Sequence, residues 1–203
     1  PKGRVHTCCA AVPGTWHVMG VTQAAGLSLK WFKDNFCQDY VEEAARQDVD
    51  VYDLINRDIA NIPAGSDKLI YLPYLMGERT PHLDPDCRGV FFGLSAIHTK
   101  AHMLRAVMEG VSYSLSDCND IILKEMGIDV DSMMACGGGG KSPVWRQMLA
   151  DLYDCSVNTV RQTEGPALGV AILAGVGCGI YESVEAACDE LITEAQSTDA
   201  DQD

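Results

Sequence analysis

The chain has 203 residues, 47% of them hydrophobic and 22% charged, and a formal charge of −14. That length supports one domain with a full core, or one large and one small lobe. The acidic balance excludes a broad nucleic-acid or anionic-membrane surface, because no basic field is present to draw phosphates. A nucleotide held locally by backbone N–H groups stays allowed.

No signal peptide and no apolar run of 18 residues is visible. The nine cysteines are Cys8, Cys9, Cys37, Cys87, Cys118, Cys136, Cys155, Cys178 and Cys188. Their number is odd, their spacing is irregular and no C-x-x-C pair occurs. They read as reduced, mostly buried thiols of a cytoplasmic protein rather than a disulfide framework or a zinc site. Pro1 starts in what reads as a strand already under way, so a piece of a longer protein is expected.

Residues 4–10 alternate as a first strand, Pro13-Gly14 turns the chain, and 15–21 form a second strand. Residues 22–36 are helical, with Leu27, Trp31 and Phe32 as the apolar stripe, Leu29 and Phe36 at its edge and Thr22 as cap. Gly26 sits in the first turns of that helix, where close backbone approach is one reason for a glycine. Residues 40–60 read as charged helix, with Val41, Ala44, Ala45, Val49, Tyr52, Leu54 and Ile55 facing inward. Residues 69–72 form a short strand. The irregular stretch "MGERTPHLDPDCRG", 76–89, has the character of a site or a lid. Its Glu78, Arg79, Asp84, Asp86 and Arg88 suit either an acid–base or phosphate-facing set or internal salt bridges that hold the loop.

Residues 90–94 are a strand, and 99–127 form the longest helical run, ended by Gly127. "SMMAC", 132–136, reads as a buried strand. A helix follows over 142–153, with Ser142 as cap and Pro143 at its first position. A strand over 156–160, a small-residue helix over 164–179 and a helix over 183–192 capped by Ser183 complete the pattern. "STDADQD" reads as a frayed acidic tail. The alternation in the back half gives an α/β layer, with the front strands as antiparallel additions to its sheet.

The run "ACGGGGKSPVW" carries the sharpest chemical question. A P-loop needs G-x-x-x-x-G-K-[ST], and the required first glycine falls on Ala135. A dinucleotide fingerprint fails where Ser142 stands in place of its third glycine. Two readings remain: a flat ligand lying against bare backbone at a helix N-terminus, or a tight turn with nothing bound. Four glycines in a row favour the ligand, since each costs backbone entropy. No histidine pair or serine brings a visible metal or hydrolase pattern with it.

The stretches "GRVHTCCAAVPGTWHVMGV", "YLPYLMGERTPHLDPDCRGVFFGLSAIHTKAHMLRAVMEGVSYSL", "CGGGGKSPVWRQMLADLYDCSV" and "EGPALGVAILAGVGCGIY" together resemble the C-terminal lobe of the FGGY family of carbohydrate kinases. The resemblance runs from about residue 3 to 192. It implies an actin-like ATPase (ribonuclease H-like) α/β fold, a mixed sheet flanked by helices, over residues 1–192, with 193–203 as the tail. It implies ATP and Mg2+, the metal held mainly through the phosphates and the other lobe. Gly137, Gly138 and Gly139 then form a backbone wall on the adenosine side, and Ser142 matches a polar position close to the nucleotide. Gly26 and Lys30 match positions that approach it, although glutamine stands at the Lys30 position elsewhere in the family. The catalytic aspartate and most sugar contacts belong to the family's N-terminal lobe, so no catalytic residue is assigned to this chain.

The implied reaction is transfer of the ATP γ-phosphate to a ketopentose, D-xylulose first, with ribulose, gluconate and glycerol as alternatives. The implied partners are the chain's own N-terminal lobe and a sugar at the lobe interface. No nucleic acid and no membrane is expected, and a homodimer is left open. A nucleotide-binding regulatory module and a structural or assembly domain are the competing classes.

Overall fold

A computed structural model describes residues 2–162 and 165–201. The chain opens with an antiparallel hairpin, β1 (His6–Cys9) and β2 (Trp16–Met19), in which His6 lies opposite Met19. Three helices follow: α1 (Ala25–Phe36), α2 (Gln38–Gln47) and α3 (Val51–Ile59). A second antiparallel pair joins β3 (Ile70–Leu72) to β4 (Val90–Phe92). The long α4 (Lys100–Asp120) continues into a π-helical turn, Ile121–Glu125. Then come β5 (Ser132–Met134), the short helix α5 (Gly137–Lys141), α6 (Pro143–Tyr153) and β6 (Ser156–Val160). Helices α7 (Gly165–Gly177) and α8 (Val184–Leu191) precede the last strand, β7 (Glu194–Thr198).

Strand β6 is the centre of a three-stranded mixed sheet, parallel to β5 and antiparallel to β7. This is the expected α/β class with a mixed sheet and flanking helices. The front strands do not extend that sheet: β1–β2 and β3–β4 are separate two-stranded ladders among the described residues.

Helix α4 organises the core. Its Leu104, Val107, Met108 and Val111 are buried against Leu29 and Phe32 of α1, Ile55 and Ile59 of α3, and Tyr71 of β3. Each such side chain contributes about 1.5–3 kcal/mol relative to exposure. α4 meets β3 so closely that a Cβ on Gly110 would stand 2.1 Å from the Tyr71 carbonyl oxygen.

Several boundaries differ from the sequence reading. The charged segment 40–60 is two helices, because Asp48 takes a left-handed φ of +53° at the end of α2. Asp50 then caps α3, accepting from the Tyr52 N–H at 2.9 Å. The buried face of α1 is Ser28, Leu29 and Phe32, while Leu27 and Phe36 point outward. Strand β5 is largely exposed rather than buried, with Met134 at 45%. Of the nine thiols, none is paired among the described residues, and only Cys37 and Cys118 are buried. The predicted helix over 164–179 is observed from Gly165; Glu164 lies outside the described residues.

The tail expectation needs correction as well. Residues 194–198 are not frayed but form β7, with Thr198 opposite Val157. The buried Arg146 guanidinium on α6 explains this, donating to Gln196 Oε1 at 2.8 Å and to Thr198 Oγ1 at 3.3 Å. The caps at Ser142 and Ser183 and the left-handed Gly127 stand as read, with φ +67° at Gly127.

Candidate functional site

The glycine run is the hinge of the site. The chain leaves β5 at Met134 and enters α5 with Gly137 at φ +74°, a backbone conformation that glycine adopts without a Cβ penalty. Helix α5 is one short turn. It ends at Ser142, which begins α6 with Pro143 at the first position.

The four glycines do different work. A Cβ on Gly140 would sit 2.6 Å from the Ala135 carbonyl oxygen, so this glycine permits a close backbone crossing. A Cβ on Gly139 would make ordinary contact with the Trp145 ring at 3.4 Å. Around Gly138 nothing lies within 4 Å of the place a Cβ would take. That open space is a bare backbone surface of the kind a flat ligand can use.

Two clefts share the turn. The narrower, about 430 Å³, is bounded by Ala25 and Gly26 of α1, Val111 and Leu115 of α4, and Gly138 and Gly139, with Trp145, Leu149 and Tyr153 of α6. The wider, about 1200 Å³, lies against Gly137 and Gly138 on one side and α7, α8 and β7 on the other. The structure thus brings Gly26, Gly138 and Gly139 together across one cleft, with Gly137 on the wider side. The narrow cleft is mostly apolar. Burial holds the Tyr153 phenol well above its ordinary range, so it stays neutral.

Lys30 and Ser142 have other partners. The Lys30 ammonium pairs with Asp34 one turn along α1 and remains largely exposed. The Ser142 hydroxyl donates to Asn56 Oδ1 at 2.7 Å and accepts from the Trp145 N–H at 3.1 Å. Neither lines either cleft as described.

The loop 76–89 lines neither cleft and holds itself together with backbone bonds. Asp84 Oδ1 accepts from the Asp86 N–H at 2.8 Å, and Arg88 donates to the carbonyls of Pro85 and Cys87 at 2.9 and 2.7 Å. The internal salt bridges expected here are not formed among the described residues; side-chain bonds to backbone groups stand in their place.

Sequence reasoning missed Arg146. Its side chain is 6% exposed, lines the wider cleft, and donates to the Gly140 carbonyl at 2.7 Å. It therefore ties the glycine turn to β7. In "PVWRQ" it reads as one more polar residue on a helix; only the tertiary approach of β7 reveals the bond.

An α/β domain with a mixed sheet, flanking helices and a backbone-walled cleft at a strand-to-helix turn is the class that the architecture defines. The chain belongs to the FGGY family of carbohydrate kinases: residues 1–178 match its C-terminal domain. It is 39% identical over 194 residues to xylulose kinase of Bacillus subtilis (strain 168), covering 96% of this chain and 37% of that protein. Gluconokinase of the same strain is 37% identical over 190 residues, covering 94% and 37%. The crystal structure of xylulose kinase from Rhodospirillum rubrum superposes with a TM-score of 0.81 at 28% identity, covering 98% and 38%. The chain thus spans somewhat over a third of the length of these relatives. Its fold is the actin-like sugar-kinase fold that they share.

Proposed function

We propose that the chain is the nucleotide-binding lobe of an ATP-dependent carbohydrate kinase whose preferred substrate is D-xylulose, phosphorylated to D-xylulose 5-phosphate. The observation that carries this reading is the convergence of Gly26 with Gly138 and Gly139 across the narrow cleft. The unobstructed space over Gly138 leaves room for a planar base or a ribose, and the apolar side chains of α4 and α6 suit a base face. Gly137 extends the same backbone wall. Ser142 and Lys30 belong to this proposal as neighbours of the nucleotide, Lys30 one turn beyond Gly26 and Ser142 at the end of the glycine turn.

ATP supplies the phosphoryl group, and Mg2+ stays with its phosphates and the other lobe. This chain's residues bind and orient the nucleoside end, and lobe closure excludes water. No base for the sugar hydroxyl is assigned among them, so the chain alone is expected to have negligible kinase activity. The partners are the remainder of its own polypeptide, with the sugar between the lobes. A cytoplasmic setting and a homodimer belong to the same proposal; among the described residues no helix is long and apolar enough to cross a membrane.

Gluconate is the second reading, favoured by the gluconokinase relative, which is nearly as similar as the xylulose kinase. Ribulose and glycerol complete the panel. The test is ADP formation by the full-length gene product with each of the four compounds. D-Xylulose is expected to give the highest kcat/KM. Sugar-independent ADP formation, or none with any sugar or polyol, would overturn the kinase reading.

A further inference from the structure

The loop 76–89 is the most charged irregular stretch of the sequence, yet neither cleft uses it. Its contacts run to the chain entering α1. That helix has no local cap: the residue before it is Ala24, and no side chain there accepts from its first turn. Thr22, the expected cap, stands two positions too early. The segment just ahead of the helix is instead anchored from across the fold. Glu78 Oε1 accepts from the Gln23 N–H at 2.9 Å and from the Arg79 N–H at 2.7 Å. Thr80 adds to the clamp. Its N–H donates to the Val21 carbonyl at 2.9 Å, and its hydroxyl oxygen accepts from the Val21 N–H at 3.1 Å. That hydroxyl also donates to the Arg4 carbonyl at 2.6 Å.

Glu78 is 3% exposed and Thr80 fully buried. Glu78 Oε2 is buried with no hydrogen-bond partner. Burying a carboxyl with one bare oxygen is costly, and the bonds that Glu78 Oε1 makes to Gln23 and Arg79 offset that cost. Gly26 follows Gln23 by three residues and lines the narrow cleft.

We infer that Glu78 is a positioning residue for the nucleotide cleft, anchoring the Gln23 N–H one residue ahead of the α1 N-cap and so fixing where Gly26 stands opposite Gly138 and Gly139. The inference rests on the reading of the narrow cleft as the adenosine site.

The experiment uses the full-length protein, with ADP binding measured by calorimetry and KM measured for ATP and for the best sugar of the panel. Glu78→Ala is expected to raise the ADP Kd and the ATP KM about tenfold, since it strands the Gln23 and Arg79 N–H groups. The sugar KM should stay within about twofold, because the clamp acts on the nucleotide side. Glu78→Gln keeps an acceptor oxygen for both N–H groups and should return the ADP Kd to within about threefold of the parent. If Glu78→Ala yields no folded protein, Glu78→Asp, whose shorter side chain withdraws that oxygen, is read the same way. An unchanged ADP Kd in these variants, with the parent binding ADP normally, overturns the inference and leaves the cleft reading intact. Equal rises in both KM values, unrelieved by Glu78→Gln, also overturn it, since they mark general loss of structure. A parent whose ADP binding ignores Gly138→Val removes the cleft reading and the inference with it.

Discussion

The two clefts that meet at the glycine turn differ in what stands behind them. Behind the narrow one, α1, α4 and α6 bury large side chains almost completely: Leu104, Val107 and Met108 are fully buried, and Trp145 is 6% exposed. The wider one is roofed by α7, a nearly continuous apolar helix in which only Ile172 and Gly175 are buried while Val170 is 68% exposed. Both walls are rich in small residues, so composition does not separate them. Small residues at a helix–strand crossing let backbones meet; the same residues along an open helix leave space. Only the first arrangement holds a surface to the precision that ligand recognition needs.

The strongest way to break that comparison is to add a methyl group at the tight crossing. Gly110→Ala places a Cβ 2.1 Å from the Tyr71 carbonyl oxygen, which is backbone and cannot rotate aside. Overpacking of this kind costs about 3 kcal/mol. A lowered urea midpoint and melting temperature should accompany loss of nucleotide binding. Native stability in Gly110→Ala would show that α4 and β3 are not held as described.

Inside the glycine run the comparison sharpens to neighbouring positions. Gly140→Ala meets the Ala135 backbone at 2.6 Å and is expected to cost about 2 kcal/mol. A Cβ at Gly138 meets nothing within 4 Å, so the fold is expected to tolerate Gly138→Val, while the added side chain takes up space at the backbone that both clefts share. The expected result is an ADP Kd raised about tenfold, on the scale of 1.4 kcal/mol, with a melting temperature within a few degrees of the parent. Equal effects on stability from both substitutions would remove the distinction between packing glycine and ligand glycine.

These particulars show what was legible in the sequence. Apart from the short α5 and the last strand β7, the order of the elements from α4 onward was readable, because Ser142-Pro143, Ser183 and Gly127 are local signals whose physics does not depend on the rest of the fold. The failure of the P-loop at Ala135 was readable for the same reason. What could not be read was tertiary. Nothing local to Gly140 shows that its neighbour is the Ala135 carbonyl. Nothing in "PVWRQ" announces that Arg146 reaches Gln196 and Thr198, and the tail was therefore misread as frayed. The cap of α1 was sought at Thr22, while the structure leaves the N-cap position to Ala24 and anchors the residue before it, Gln23, on Glu78 of a distant loop. The glycines marked the strand-to-helix turn, but the partition of labour among them depends on tertiary neighbours that no local pattern shows.

On the open side a glycine should behave oppositely. Gly169 lies in α7 with nothing within 4 Å of its would-be Cβ. Gly169→Ala is therefore expected to leave the urea midpoint of the full-length protein unchanged, or to raise stability by up to about 1 kcal/mol through helix propensity and a more restricted unfolded chain. A loss of more than about 1 kcal/mol would show that α7 is packed against another part of the whole protein. The contrast between the two walls would then belong to this domain alone.

The smallest expected effect lies on the surface of the well-packed side, where Asp39 of α2 pairs with Lys100 at the start of α4. The hydrogen bond from Lys100 is the main cause that holds the Asp39 carboxyl below its ordinary value of 3.8. A carboxyl lowered by folding contributes stability that is complete above the unfolded value and fades as pH falls through the folded one. Asp39 is largely exposed, so solvent screening limits the contribution to about 0.5 kcal/mol. Asp39→Asn should accordingly lower the urea midpoint slightly at pH 7, and the difference from the parent should shrink as the pH is taken progressively below 3.8. It should also shrink at high salt, whereas the Gly110→Ala penalty should not, because packing against the Tyr71 carbonyl is indifferent to both. A gap that persists in acid or in salt would mean that Asp39 acts through packing of α2 rather than through its charge.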